Sequence, residues 1–252
     1  MKYMKRFAAL LLTLSLSLSL LACGANGELR SAERALKNTP YRISTKTVFR
    51  SEDSECAILL SDLNGTGMPL TVDGDRIMAS MMTDGYRLTL RFINGNLYYD
   101  AVSETGELNL LVRLNKEQEK KFLEDYGRND RISFSDFSSV TEGDGQGDTL
   151  YILNGASGES LTMLKSVVGR ALSTVYSGLV HVTGAEMKCR LSNGKFKYIT
   201  TSVEFEISLD GEMKRAVMTT EESYVYSDSY SIEIPADEYL YEEVEYSEIF
   251  GG

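Results

Sequence analysis

Tyr86-Arg87-Leu88-Thr89-Leu90-Arg91-Phe92-Ile93 is followed by Asn94-Gly95 and then by Asn96-Leu97-Tyr98-Tyr99. Tyr86, Leu88, Leu90 and Phe92 alternate with Arg87, Thr89 and Arg91, the period of a strand with one dry and one wet face. Asn-Gly is the favoured two-residue hairpin loop because both positions need positive φ. The stretch therefore reads as a hairpin in an antiparallel sheet that is covered on one side.

The same pattern recurs on both sides of it. Downstream, Leu179–Leu191 meets Asn193-Gly194, Phe196–Leu209 meets Asp210-Gly211, and Met213–Tyr226 follows. Val203, Phe205, Ile207 and Leu209 alternate with Glu204, Glu206 and Ser208. Upstream, Ile43–Arg50, Cys56–Ser61 and Arg76–Thr83 read as strands. Shorter strands are expected at Arg131–Phe134, Thr149–Leu153 and Ser231–Pro235, the last cut short by its proline. Between these, helical spacing appears three times. Residues 28–37 form a modest helix stopped by Pro40. Asn115–Tyr126 opens with Asn115 and, three residues on, Gln118, the spacing of a capping box. Ser160–Tyr176 carries Leu161, Leu164, Val168, Leu172 and Val175 on one stripe, widened by Met163, Val167 and Ala171. The fold class that follows is α+β: a mostly antiparallel, curved β-sheet with two or three helices packed on its concave face. Residues 28–248 make a single β-rich domain, with a loose division into helix-plus-strands units at 28–126 and 149–248.

The N-terminus belongs to no part of that fold. Lys2, Lys5 and Arg6 precede an apolar run of 16 residues, Phe7 to Ala22. A membrane span usually needs about 20 apolar residues, and serines dilute this run, so it reads as a targeting segment. Its end, Leu20-Leu21-Ala22-Cys23, resembles the bacterial lipobox. That resemblance implies that residues 1–22 are a lipoprotein signal peptide cleaved before Cys23. The Cys23 thiol would then carry a diacylglyceryl group, with fatty acyl chains such as palmitate as the anchor. Residues 23–27 would be a short tether, holding the domain at the extracytoplasmic face of the cell membrane. Two or more acyl chains anchor stably, since each buried CH₂ contributes about 0.8 kcal/mol.

Composition narrows the partners. The chain has 26 Lys and Arg against 37 Asp and Glu, a net charge of −11. Losing Lys2, Lys5 and Arg6 with the signal peptide deepens this to −14. Such a surface does not bind nucleic acid or anionic lipid headgroups through charge. With Cys23 lipidated, Cys56 and Cys189 remain. As strand residues both would point inward, either as a disulfide or as two separate buried thiols. Bridging so long a loop would contribute roughly 4–5 kcal/mol in the chain-entropy model.

Little in the chain points to catalysis. The one histidine, His181, lies within a strand, and no nucleophile-elbow sequence is present. One histidine and two spaced cysteines make no ordinary zinc site. Asp62-Leu63-Asn64-Gly65-Thr66-Gly67 with Asp73 imitates part of a calcium loop, but Pro69 interrupts it and a turn explains it better. Glu142–Asp148 and the acidic, tyrosine-rich tail from Asp237 to Glu248 read as solvated segments, the tail keeping a basic partner as an alternative. No metal and no cofactor are expected. A hydrolase using paired carboxylates is a third-ranked alternative. Ten methionines fill cores or line an adaptable apolar cavity.

Lipobox, short tether, helix–strand blocks and antiparallel sheet together resemble the LolA/LppX-like bacterial lipoproteins and lipoprotein carriers. The resemblance covers most of residues 28–248 as element order. It implies a half-barrel closed by helices, with a cavity that takes acyl chains; Met163, Val167, Ala171, Phe205 and Ile207 are the candidate lining. The leading expectation is thus a membrane-anchored, non-enzymatic protein that binds a lipid or other hydrophobic ligand. The alternative is a surface module with a filled core that binds another envelope protein.

Overall fold

A computed structural model describes residues 27–67, 69–83, 86–126, 137–143, 148–173 and 175–250. The strands are β1 (Tyr41–Arg50), β2 (Gly65–Thr66), β3 (Leu70–Asp73), β4 (Arg76–Thr83), β5 (Tyr86–Ile93), β6 (Asn96–Ser103) and β7 (Gly106–Arg113). They continue as β8 (Phe137–Gly143), β9 (Thr149–Ala156), β10 (Val180–Ser192), β11 (Lys195–Leu209), β12 (Glu212–Tyr226) and β13 (Glu242–Glu243). All join one 13-stranded sheet in the order β13-β7-β6-β5-β4-β3-β1-β12-β11-β10-β9-β8, with β2 beside β1. The sheet is open, not closed into a barrel, and antiparallel except where β13 runs parallel to β7.

The Tyr86–Tyr99 hairpin is β5–β6, and Asn94 and Gly95 both take positive φ, 52° and 76°. Asn193-Gly194 and Asp210-Gly211 do the same between β10, β11 and β12. Three left-handed dipeptides therefore set the register of three strand pairs, β5–β6, β10–β11 and β11–β12.

The helices are α1 (27–38), α2 (Ser54–Ser61), α3 (Lys116–Tyr126), α4 (Gly158–Leu172) and α5 (Tyr246–Phe250). The segment expected as a strand at Cys56–Ser61 is α2. The reason is local: Asp53 sits at the N-cap and its carboxylate accepts from the Cys56 N–H at 2.9 Å. Backbone bonding to Cys56 and the Lys214 ammonium hold that carboxyl below its ordinary range. The apolar helix also differs at its ends, running from Gly158 to Leu172 rather than on to Tyr176. Asn115 caps α3 as its spacing requires. Its side-chain oxygen accepts from the Glu117 and Gln118 N–H groups at 3.0 and 2.9 Å, and Gln118 Oε1 accepts from the Asn115 N–H at 2.9 Å.

Cross-strand partners share a face, so the register shows where the helices lie. Tyr41 lies opposite Val72, Val72 opposite Ile77, Ile77 opposite Phe92, Phe92 opposite Leu97, and Leu97 opposite Val112. In the other direction Phe49 lies opposite Met218, and Met218 opposite Val203. This one face receives Leu29, Ala32 and Leu36 of α1, Cys56 and Leu60 of α2, Phe122 of α3, and Leu164, Val168 and Leu172 of α4. Buried side chains of four helices, where two or three helices were expected, thus share clusters with residues of this face.

The other face is divided. Across β10, β11, β12 and β1 it is polar: Lys188, Thr200, Glu221 and Lys46 form one cross-strand row. Across β4 to β7 it carries Met78, Arg91, Tyr98 and Leu111. There the segment 227–245 crosses it and buries Ile232 against Ile93, Tyr98 and Leu111. Ser231–Pro235, expected as a strand, is part of this strap and pairs with no strand. The tail expected to be a solvated edge is thus partly built into the fold.

The expected strand at Arg131–Phe134 lies outside the described residues.

Candidate functional site: the layer beneath α4 and the C-terminal strap

The layer between α4 and the sheet collects most of the expected cavity residues. Phe205 and Ile207 point from β11 into it and are fully buried. Val203, Val168 and Leu172 are also fully buried there, and Leu164 is 2% exposed. Val167 and Ala171 pack against this cluster half-buried, while Met163 is half-buried without joining it. Phe49 meets Phe205 edge-on with ring centroids 6.3 Å apart. The described side chains at its centre are closed to solvent.

The two cysteines are free and buried. Cys56 faces this layer from α2, whereas Cys189 on β10 sits in the neighbouring cluster with Leu29, Tyr41 and Tyr151. Of the two alternatives, the structure carries separate buried thiols rather than a disulfide. Burial, with Glu222 and Glu33 nearby, pushes the Cys189 thiol well above its usual range and makes it unreactive. Cys23 lies outside the described residues.

The remaining candidates are dispersed. His181 is exposed on β10 opposite Glu206. In the calcium-like stretch, Asn64 Oδ1 accepts from the Phe49 N–H at 2.6 Å, and Asp73 Oδ2 accepts from the Tyr230 N–H at 2.9 Å. Both oxygens are thus used to hold other elements. Asp148 pairs with Lys197 at 3.0 Å, which keeps its carboxyl below the ordinary range, and residues 144–147 of that acidic stretch lie outside the described residues. Among the described residues no group of three or more His, Cys, Asp and Glu is placed to hold a metal ion. An open cleft of about 390 Å³ lies ahead of the start of β3, beside the far end of β4, lined by Thr66, Gly67, Pro69, Ser80, Met82 and Arg87.

The strap is the feature that the sequence did not disclose. Tyr98 is fully buried, and its hydroxyl donates to Glu238 Oε1 at 2.9 Å. Tyr241 donates to Asp100, which also takes Arg91, and the Tyr98 and Tyr241 rings meet edge-on at 5.6 Å. Arg76 Nη1 donates to the Ile232 carbonyl at 3.1 Å, Arg113 pairs with Glu243 at 3.1 Å, and the Val244 N–H reaches the Leu111 carbonyl at 3.0 Å. Burial first, and the facing carboxylates second, raise the pKa of Tyr98 and of Tyr241, so both stay protonated donors. The available signal was the row Arg91, Tyr98, Asp100 on one hairpin, polar groups on a face that needed partners of opposite character.

The class that the fold defines is an α+β protein on one open, mainly antiparallel sheet. No family model matches the sequence, and no curated protein matches it. Among solved structures, Ail, the attachment invasion locus protein of Yersinia pestis, aligns over 75% of this chain and 99% of that chain. It does so at 8% identity and a TM-score of 0.16, too low for any inference.

Proposed function

We propose that the chain is a cell-envelope lipoprotein, held at the extracytoplasmic membrane face through Cys23, whose domain binds an envelope protein and performs no catalysis. The supporting observation is the solvent-closed layer under α4, where Leu164, Val168, Leu172, Val203, Phe205 and Ile207 are each at most 2% exposed. A domain whose apolar face is spent on its own core acts through its surface. The lipobox resemblance at Leu20–Cys23 supports the anchoring, and the mature charge favours basic partners over anionic headgroups.

Binding of a lipid or other hydrophobic ligand is the second reading. It is favoured by the clustering of α1 to α4 with one face of an unclosed sheet, and by the apolar character of the α4 layer. In that reading the sheet is the curved half-barrel of the LolA/LppX-like proteins, the helices lie on its concave face, and α4 lifts to admit an acyl chain. Native mass spectrometry of the domain from Gly27 onward separates the two. A mass equal to the polypeptide alone supports the filled-core reading. Repeated co-purification of lipid, lost when Val167 and Ala171 are replaced by Phe, overturns it in favour of the second.

A further inference from the structure

We propose that the turn Glu238–Leu240 is the contact point for a basic protein partner, an inference that rests on the partner-binding reading above. The turn is a single 3₁₀ unit closed by the Tyr241 N–H on the Glu238 carbonyl at 3.0 Å. Both of its flanks are fastened to the sheet: Glu238 accepts from buried Tyr98, and Tyr241 donates to Asp100. Between these two anchors Tyr239 is 83% and Leu240 59% exposed. Ile234, 46% exposed, stands on the same strap. Large apolar side chains are thus fixed outward on a tethered backbone, where they contribute nothing to the domain's own core. A rigid aromatic anchor binds well because little conformational freedom remains to be lost on association.

Charge defines the partner. Residues 227–250 contain no Lys or Arg. Glu233, Asp237, Glu242 and Glu243 are exposed around the turn, and of these the sheet's arginines neutralise Glu243. A complementary surface presents an apolar pocket for Tyr239 and Leu240 ringed by Lys and Arg. Anionic lipid headgroups would be repelled by the same residues.

The test uses the full-length anchored chain in the membranes of the cells that make it. Tyr239→p-benzoylphenylalanine places a photo-crosslinker at the turn, and Tyr198→p-benzoylphenylalanine places one on the open polar face of β11. Expected is a protein adduct at 239 whose crosslinked peptide is rich in Lys and Arg. Its yield should fall about tenfold in Asp237→Lys/Glu242→Lys at an unchanged melting temperature. An adduct only to lipid, or one indifferent to that charge reversal, overturns the proposal. A protein adduct at 198 with none at 239 overturns this contact point but leaves partner binding standing. Absence of protein adducts at both positions counts against the site and the partner-binding reading together.

Discussion

Single side chains decide local structure here in ways that can be measured. Asn115 satisfies two of the four amide groups that open α3, and Gln118 returns a third bond to it. Asn115→Ala removes those acceptors and should cost about 1 kcal/mol, read as a fall of roughly 2–4 °C in melting temperature. Asn115→Asp should lose far less, because the acceptor survives and a negative charge suits a helix N-terminus. Cys56 and Cys189 make a second residue-scale case. Free and buried in separate clusters, both thiols should resist a thiol reagent in the native domain and react together once denaturant unfolds it. One thiol reacting early would show that its cluster opens independently. The turn dipeptides and the α3 cap were legible in the sequence because their chemistry is local. Cys56 was misread for a related reason: Ala57-Ile58-Leu59-Leu60 suits a strand as well as a helix, and the deciding group is Asp53, outside the apolar run.

At the scale of elements, the strap shows why only part of the fold could be read from the chain. Strands with an alternating pattern declare themselves, and β5, β11 and β12 were visible in the sequence. Residues 227–245 have no period, since their partners lie on β3, β4, β6 and β7, over a hundred positions away. Of the residues expected to line a cavity, Val167 and Ala171 of α4 cluster with Phe205 and Ile207 of β11, whereas Met163 does not join them. What spacing could not say is whether the layer between them is open or filled. The strap makes a quantitative prediction. Ile232 is 1% exposed, so Ile232→Ala removes most of an apolar anchor and should cost about 2–4 kcal/mol. Hydrogen exchange should then accelerate first at the Val244 amide on Leu111 and the Tyr230 amide on Asp73. A uniform acceleration over the whole sheet would mean that the strap does not open as a unit. Alkali should loosen it too. Arg91, Asp100, Asn96, Arg113, Asp237 and Glu238 surround the Tyr98 and Tyr241 hydroxyls, and each pKa stands above the ordinary tyrosine value. The stabilisation is then complete below about pH 10, where unfolded tyrosine begins to ionise, and is lost as pH rises through the higher folded values. Tyrosinate absorbance should rise in two phases, the later one coinciding with strap release, and Tyr241→Phe should remove part of the later phase.

At the scale of the whole molecule, the proposed anchor at Cys23 can be tested apart from the domain. The four buried clusters of the described residues are built from side chains between Leu29 and Tyr246. Among the described residues no helix is long and apolar enough to cross a membrane, and the acidic surface offers no electrostatic attraction to anionic lipid. If the chain is held at the membrane as proposed, the acyl chains on Cys23 must supply nearly all of the affinity. A single chain binds only marginally, whereas two or more hold it stably. Cys23→Ala should therefore abolish incorporation of labelled palmitate and move the chain out of the membrane fraction, while the melting temperature of the domain stays unchanged. Raising salt should not mimic the substitution, because no charge pairing with lipid is being screened. If Cys23→Ala chains stayed in the membrane fraction and were released by salt, the attachment would run through a protein partner. Charge reversal at Asp237 and Glu242 should then release them as well, which ties the anchoring experiment to the strap.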